Sequence, residues 1–480
     1  MKKTPVMVTF LSIGILMLLL FSPSSLTFVR AFQNGQNAAI VIGQPNFTTN
    51  TTSVSQTSIS GPEGMAFDSS GNLWAADASG RVVKFAAPLT TGESASVVLG
   101  QPDFTTHECR SGPAGLCVVI AVAFDSSGDL WATDPSNNRV LEFKPPFVNG
   151  GNASIVIGYA DFFSTSSNLA NASSLYDSFG IAFDSSGNLW VADNGYSRVL
   201  RFNTPFSNGE SASLVLGQQN FTGNFTVTTQ SSIGHPGGIT FDSSGNLWVS
   251  DRDNRRVLKF APPFSTGESA SLVLGTTDFV SSGAGFFSSS AFYAPQGLAF
   301  DHSGNLWVAD SGKNRVLGFA PPFVTGENAS YVIGQSNFTG ALPSTSASGL
   351  FVPIGVAVDA QGNLWIGDSQ NNRVVEYLQS VAQVSSSSTS TSSSSSSTSS
   401  ATTLSTPSPP VTTASAAPSQ ATSTSSSAGL GGGATSTSPS SSATALPLSY
   451  VVIPIIVLIV GVTLLVGSVV RKKSSLQRQP

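Results

Sequence analysis

The chain has 480 residues, of which only 10% are charged, with 21 basic and 26 acidic side chains and a net charge of −5. Seven of the basic residues (Lys2, Lys3, Arg30, Arg471, Lys472, Lys473 and Arg478) flank apolar segments at the ends, so the middle carries 14 against all 26 acidic ones, about −12. That excludes nucleic acid as a partner, because phosphate contacts need clustered Lys and Arg; low charge with abundant Ser, Thr, Gly and Asn suits an extracellular β-protein.

Lys2-Lys3 ahead of the apolar run Val6–Phe21 reads as a secretory signal peptide over residues 1–31. Val29-Arg30-Ala31 is a small-residue cleavage site, and an uncleaved anchor is the alternative. From residue 32 to about 380 one unit is then written six times. The aspartate of a Phe-Asp pair falls at Asp68, Asp125, Asp184, Asp242, Asp301 and, as Val358-Asp359, in the last copy. The steps are 57, 59, 58, 59 and 58 residues, and all six tryptophans occupy one position: Trp74, Trp131, Trp190, Trp248, Trp307 and Trp365. A period this regular governs the fold before anything else does.

The fourth copy shows the elements. Gly238–Phe241 is a first strand, and Asp242-Ser243-Ser244-Gly245-Asn246 has the chemistry of a tight hairpin turn. Leu247–Ser250 and Arg256–Phe260 are β-forming runs separated by a second turn. Pro262-Pro263-Phe264 stiffens the connection to a fourth strand, Ser271–Gly275. No segment has helical spacing. Four antiparallel strands repeated six times predict an all-β, six-bladed β-propeller of four-stranded blades over residues 32–380.

The run Pro-x-Gly, apolar, Ala-Phe-Asp-x-x-Gly-Asn-Leu-Trp-Val-Ala-Asp-x-x-x-Asn-Arg-Val-Leu-x-Phe, fullest at Pro295–Phe319, resembles the NHL repeat. The resemblance spans about Phe32–Tyr377 and implies a six-bladed propeller. It implies little about activity, because that scaffold carries lyases, lactonases, receptors and RNA binders. Closure follows from the ends of the repeat. Phe32–Gln44 matches Phe323–Gln335, a fourth strand without its blade, and the last copy stops at Tyr377 with three strands. The first strand is expected to complete the last blade and remove both open edges.

Residues 381–446 collapse to Ser, Thr, Ala and Pro and predict a disordered stalk, too apolar-poor to offset chain entropy. Leu448–Val470 is 23 residues without a charge. At a rise of ~1.5 Å per residue it crosses a ~30 Å hydrocarbon core. Arg471-Lys472-Lys473 then places residues 471–480 in the cytoplasm. The expected protein is a single-pass cell-membrane protein with a transmembrane helix over 447–470 and its propeller outside.

The Asp-Ser-Ser-Gly and Pro-Pro-Phe turns share one face of the disc and barely vary. The opposite face carries long, unlike connections between blades, which is where a rigid scaffold presents function. Aromatic residues there are the ligand-binding candidates: Phe163, Tyr176, Phe225, Phe286, Phe287, Phe292, Tyr293 and Phe351, part of which must serve as packing caps. His235 joins them, with a structural histidine as the alternative. Cys109 and Cys117 are the only cysteines, both in one connection, and predict a disulfide. Asn46, Asn50, Asn152, Asn171, Asn220, Asn224, Asn328 and Asn337 are sequons and glycosylation candidates. At Asn46, Asn220 and Asn337, where other copies have Asp, turn-making is an equal reading.

Streptogramin lyase and the peptide amidating lyase, in the family resembled, use histidines and carboxylates near the channel. Here only Glu63 and His235 lie near the starts of the innermost strands, short of the three or four ligands a metal needs. No metal or cofactor is therefore expected. The Asp-x-Ser-Gly-Asn loop is a poor calcium loop, and the second aspartate of each copy is expected to order its turn and pair with the following arginine. The expectation is a membrane-anchored surface propeller binding an extracellular protein, glycan or small ligand. Three ionisable groups converging on the channel would favour the alternative, an extracellular lyase or hydrolase; a structural surface-coat component is the second alternative.

Overall fold

A computed structural model describes residues 28–166, 169–283 and 288–383. The expected signal peptide up to residue 27, and the expected stalk beyond residue 383, transmembrane helix and basic tail, fall outside the described residues. Among the described residues no helix is long and apolar enough to cross a membrane, and the only helical elements are three-residue 3-10 turns such as Asn194–Tyr196.

Six four-stranded antiparallel sheets form the disc. Blade 3 is typical, with strands Ser178–Phe183, Leu189–Asp193, Arg198–Phe202 and Leu214–Leu216 running outward from the axis. Blade 6 is assembled from Pro353–Val358, Leu364–Asp368, Arg373–Tyr377 and, from the other end of the chain, Ile40–Ile42. Ile40 pairs with Glu376 and Ile42 with Val374. The expected closure is therefore the observed one. A separate ribbon pairs Phe28–Ala31 with Ser380–Gln383, so the described fold begins four residues ahead of the predicted cleavage point and runs past residue 380. Processing after Ala31 would remove that ribbon.

The hydrophobic core is six cores, one in each seam between neighbouring blades. Each Trp is wholly or almost wholly buried and packs edge-on against aromatic residues of the next blade, as Trp190 does against Phe241 and Phe264. The hairpin aspartate holds that ring in place. Asp184 Oδ2 accepts from Trp190 Nε1 at 2.9 Å while its Oδ1 accepts the backbone N–H groups of Ser186 and Asn188. With its lone pairs so occupied, this carboxylate is a turn-former. Burial would raise it, but hydrogen bonds from Trp190, Asn188 and Ser186 hold it below its ordinary value of 3.8.

The second aspartate pairs with the arginine as expected. Six ion pairs, Asp77–Arg81 through Asp368–Arg373, are fully buried with separations of 2.6–3.0 Å. Arg198 also donates to the carbonyls of Phe221 and Ser174, so one guanidinium ties its own blade to two connections. A buried pair satisfied in this way fixes loop positions.

Candidate functional site

The six first strands converge on the axis, and the Pro-x-Gly signature is what lets them do so. A Cβ on Gly180, Gly238 or Gly297 would stand 2.7, 2.8 or 2.4 Å from a backbone oxygen of the next blade, closer than any side chain tolerates. The remaining channel is a cavity of ≈ 100 Å³ walled by Met65, Ile181, Ile239, Leu298, Val356 and backbone. It has room for only a few waters, so the first strands leave the axis narrow.

The mouth on the variable face is built from three rings, one residue per blade in each. The outer ring is Ser60, Cys117, Tyr176, Gly234, Tyr293 and Phe351, whose backbone N–H groups donate to the buried second aspartates. Next inward stand Gly61, Val118, Asp177, His235, Ala294 and Val352. Four of these take positive φ, including Asp177 at 55° and His235 at 54°, which turns each chain sharply down into the channel. The x of Pro-x-Gly forms the inner ring: Glu63, Ile120, Phe179, Gly237, Gln296 and Ile354.

Glu63 accepts no hydrogen bond from the described residues. Its side chain is half-buried, and protein surrounds it closely. Burial, with the Asp177 carboxylate adding to it, pushes its carboxyl up to about 8. Burial likewise raises Asp177, opposed by Arg252 and His235. His235 Nδ1 lies 2.7 Å from Asp253 Oδ2, and that close approach raises the imidazole and lowers the carboxylate. Arg252 stands over the Phe179 ring at 6.0 Å. Across the mouth, Arg255 stands 4.6 Å over Tyr293, and Lys313, in the turn that Tyr293 covers, is lowered by burial to about 8.

Of the sequence candidates, Tyr176, Tyr293, Phe351 and His235 come together in these rings. Tyr176 lies on Gly195 and against Tyr196 at 5.4 Å, and Tyr293 lies on Gly312. Phe163 and Phe225 are exposed, 70% and 69%, but belong to connections outside the rings; Phe163 rests on Gly112 of the disulfide loop. Phe292 is wholly buried against Phe319, a packing cap that presents no ring to a ligand. Phe286 and Phe287 lie outside the described residues. Asp177 escaped the sequence reading because it ends a variable connection where the consensus proline pattern is broken; alignment on the outer-ring residue, rather than on Pro-x-Gly, would have placed it beside His235.

Cys109 and Cys117 form the expected disulfide. All eight sequon asparagines are exposed. Asn46, Asn220 and Asn337 accept a backbone N–H two residues on, as Asp103 and Asp161 do, so the turn-making role is real. Among the described residues, the one trio of carboxylate, His or Cys groups with ligand atoms within 4.8 Å of one another is Asp125, Asp129 and Glu142, on the opposite face. Lys144 already stands there, 2.7 Å from Asp129 and 3.2 Å from Glu142. At the mouth, Glu63 and His235 each act on Asp177, and the three do not close to that distance.

A family model described as NHL repeat matches residues 234–260, 292–319 and 352–377, and one described as strictosidine synthase-like, N-terminal, matches 49–85. No curated protein matches the chain in sequence. Among solved structures, a virginiamycin B lyase from Staphylococcus aureus is similar at 12% identity, covering 68% of this chain and 97% of that one, with a TM-score of 0.40. An auxiliary nutrient binding protein from Bacteroides thetaiotaomicron is similar at 12% identity, covering 71% and 76%, with a TM-score of 0.47; one from Bacteroides ovatus, at 11%, covers 73% and 78% with a TM-score of 0.47.

Proposed function

We propose, for a chain that carries NHL repeats on a six-bladed propeller, that the variable face binds a ligand and that the binding centre is the channel mouth. The observation that carries this is Glu63. A carboxyl in the inner ring, with no hydrogen-bond partner among the described residues and pushed up to about 8 by burial, can when protonated both donate and accept toward a neutral polar group. Around it, Tyr176, Tyr293 and Phe351 offer flat apolar rings, and Asp177, His235 and Arg252 offer charge. A glycan or similar polar ligand, free or carried by an extracellular protein, matches that mixture. The predicted stalk and transmembrane helix, outside the described residues, would hold this face away from a cell surface.

A specific observation also favours a second reading. A carboxyl that burial and Asp177 push up to about 8, with His235 also acting on Asp177, is in the range where a general acid or base works, so an extracellular lyase or hydrolase acting at the same mouth fits Glu63 as well. One experiment addresses both. Full-length protein is screened by thermal shift against glycans, amino acids and peptides at pH 7, and hits are incubated and analysed for products. Stabilising ligands whose effect disappears in E63L and Y176A support the mouth as the site, and product formation selects the enzyme. Hits that bind E63L and Y176A as well as the parent would remove the mouth from consideration.

A further inference from the structure

On the turn face, one seam, between blade 6 and blade 1, departs from the repeat in both charge and volume. In every blade the Trp of the second strand stands directly across from one residue of the third. In blades 1, 3 and 4 that residue is a cation: Trp74 faces Lys84, Trp190 faces Arg201 and Trp248 faces Lys259. The three cationic groups lie 5.4, 5.7 and 5.6 Å from the ring centroids, and Lys84 Nζ also stands 3.8 Å from the Asp68 carboxylate that accepts the indole N–H. The position is thus a cation site that those blades fill themselves. Blade 2 has Glu142 there but supplies Lys144. Blade 5 has Gly318, and Tyr331 stacks over Trp307 instead.

Blade 6 has Glu376 across from Trp365, and no cation among the described residues stands over that ring. Asp359 accepts from Trp365 Nε1 at 2.9 Å, and Asn363 Nδ2 bridges Asp359 and Glu376 at 3.0 Å each. Glu376 is 5% exposed and its Oε2 takes no hydrogen bond from the described residues. No ion pair reaches either carboxylate among the described residues. Burial and the Asp359 charge together raise Glu376 to about 7, the mark of an anion site without its counter-charge.

The same seam also lacks its space-filling ring. The other five tryptophans each meet a phenylalanine of the following connection at 4.7–4.9 Å, namely Phe147, Phe206, Phe264, Phe323 and Phe32. At the sixth the equivalent residue is Leu89, and a well of ≈ 640 Å³ opens there, walled by Leu89, Phe67, Trp365, Asp68, Asp359 and Glu376. Two departures from the repeat, one of volume and one of charge sign, thus fall on one cavity.

We propose that this well binds an alkylammonium group from a ligand, seated over Trp365 between Asp359 and Glu376 in the place that Lys84 and Lys259 occupy in their own blades. The methylenes run along Leu89 and Phe67. A bare divalent cation fits less well, because an indole face and apolar walls occupy directions that six to eight oxygens would need. The group is either a free amine or a lysine side chain of another protein. The site lies on the face opposite the mouth and does not rest on the function proposed there.

The test is a calorimetric titration of the full-length chain with n-butylammonium chloride, with n-pentanol as the uncharged control. E376K restores the cation of the sibling blades and L89F restores their ring, so both variants keep the repeat's own solution and fold, which their melting temperatures check. Saturable binding of the ammonium and not the alcohol, weakened about tenfold or more in each variant and unchanged in E63L, is the expected result. A peptide with one lysine is titrated in parallel: affinity well above that of butylammonium identifies a protein as the source, and equal affinity a free amine. Equal binding by E376K, L89F and the parent, or no saturable binding by the parent, would overturn the proposal.

Discussion

Arg198 Nε lies 2.7 Å from Asp193 Oδ2 with both side chains wholly buried, and the same guanidinium donates to the carbonyls of Ser174 and Phe221. Without the arginine, Asp193 would be a buried charge with no counter-ion and two connections would lose their tether. R198L is expected to destabilise the propeller by about 3–5 kcal/mol, the usual cost of breaking one partner of a buried pair. Chemical denaturation measures it, and a loss below about 1 kcal/mol would show that the pair is only a bystander.

The hairpin carboxylates set the acid limit. Hydrogen bonds hold Asp68, Asp184 and Asp242 below 3.8 against the opposing effect of burial. A depressed folded value means a contribution that is complete above about pH 3.8 and lost as pH falls through the folded values. Stability is expected to drop steeply below pH 4, and D184N is expected to flatten that dependence while lowering stability near pH 7 by about 1–3 kcal/mol. Melting curves from pH 2.5 to 7 check both.

The axial glycines have a steric role. A Cβ at position 297 would stand 2.4 Å from the Ile354 carbonyl oxygen, so G297A must push two first strands apart. It is expected to cost about 1–3 kcal/mol, as overpacked cores do, and to disturb the mouth. Calorimetric melting of G297A against the parent reads it; an unchanged melting temperature would mean that the axis is loosely packed.

Much of this was legible in the sequence because it repeats. Six tryptophans at one position, and a stray fourth strand at Phe32–Gln44, determine blade count and closure without any knowledge of contacts. The purpose of Pro-x-Gly was not legible, because it depends on how near the neighbouring blade comes at the axis. Asp177 was hidden for a related reason: its role follows from a ring whose members lie some sixty residues apart. Leu89 and Glu376 were visible as departures from the pattern, but only the structure shows that residues 287 apart in sequence share one well. Phe292 shows the reverse error, an aromatic residue in a variable loop that serves the core.

Glu63 makes stability depend on pH in the opposite sense to the hairpin aspartates. Its folded value is raised from 4.5 to about 8, so the folded state holds the proton more tightly than the unfolded one. Its favourable contribution is present below pH 4.5 and is lost as pH rises to about 8. E63Q cannot ionise, and its melting temperature is expected to gain on the parent's as pH rises from 5 to 8 and to hold that gain above pH 8, by about 2–4 °C for each kcal/mol relieved.

The most direct test is the protonation state of Glu63 itself. Difference infrared spectroscopy between pH 4 and 10, with E63Q as the blank, follows the carboxyl stretch of the protonated side chain. A midpoint near 8 would match a closely surrounded inner-ring carboxyl with no hydrogen-bond partner among the described residues. A midpoint near 4.5 would contradict it and leave the channel mouth with no distinguishing chemistry.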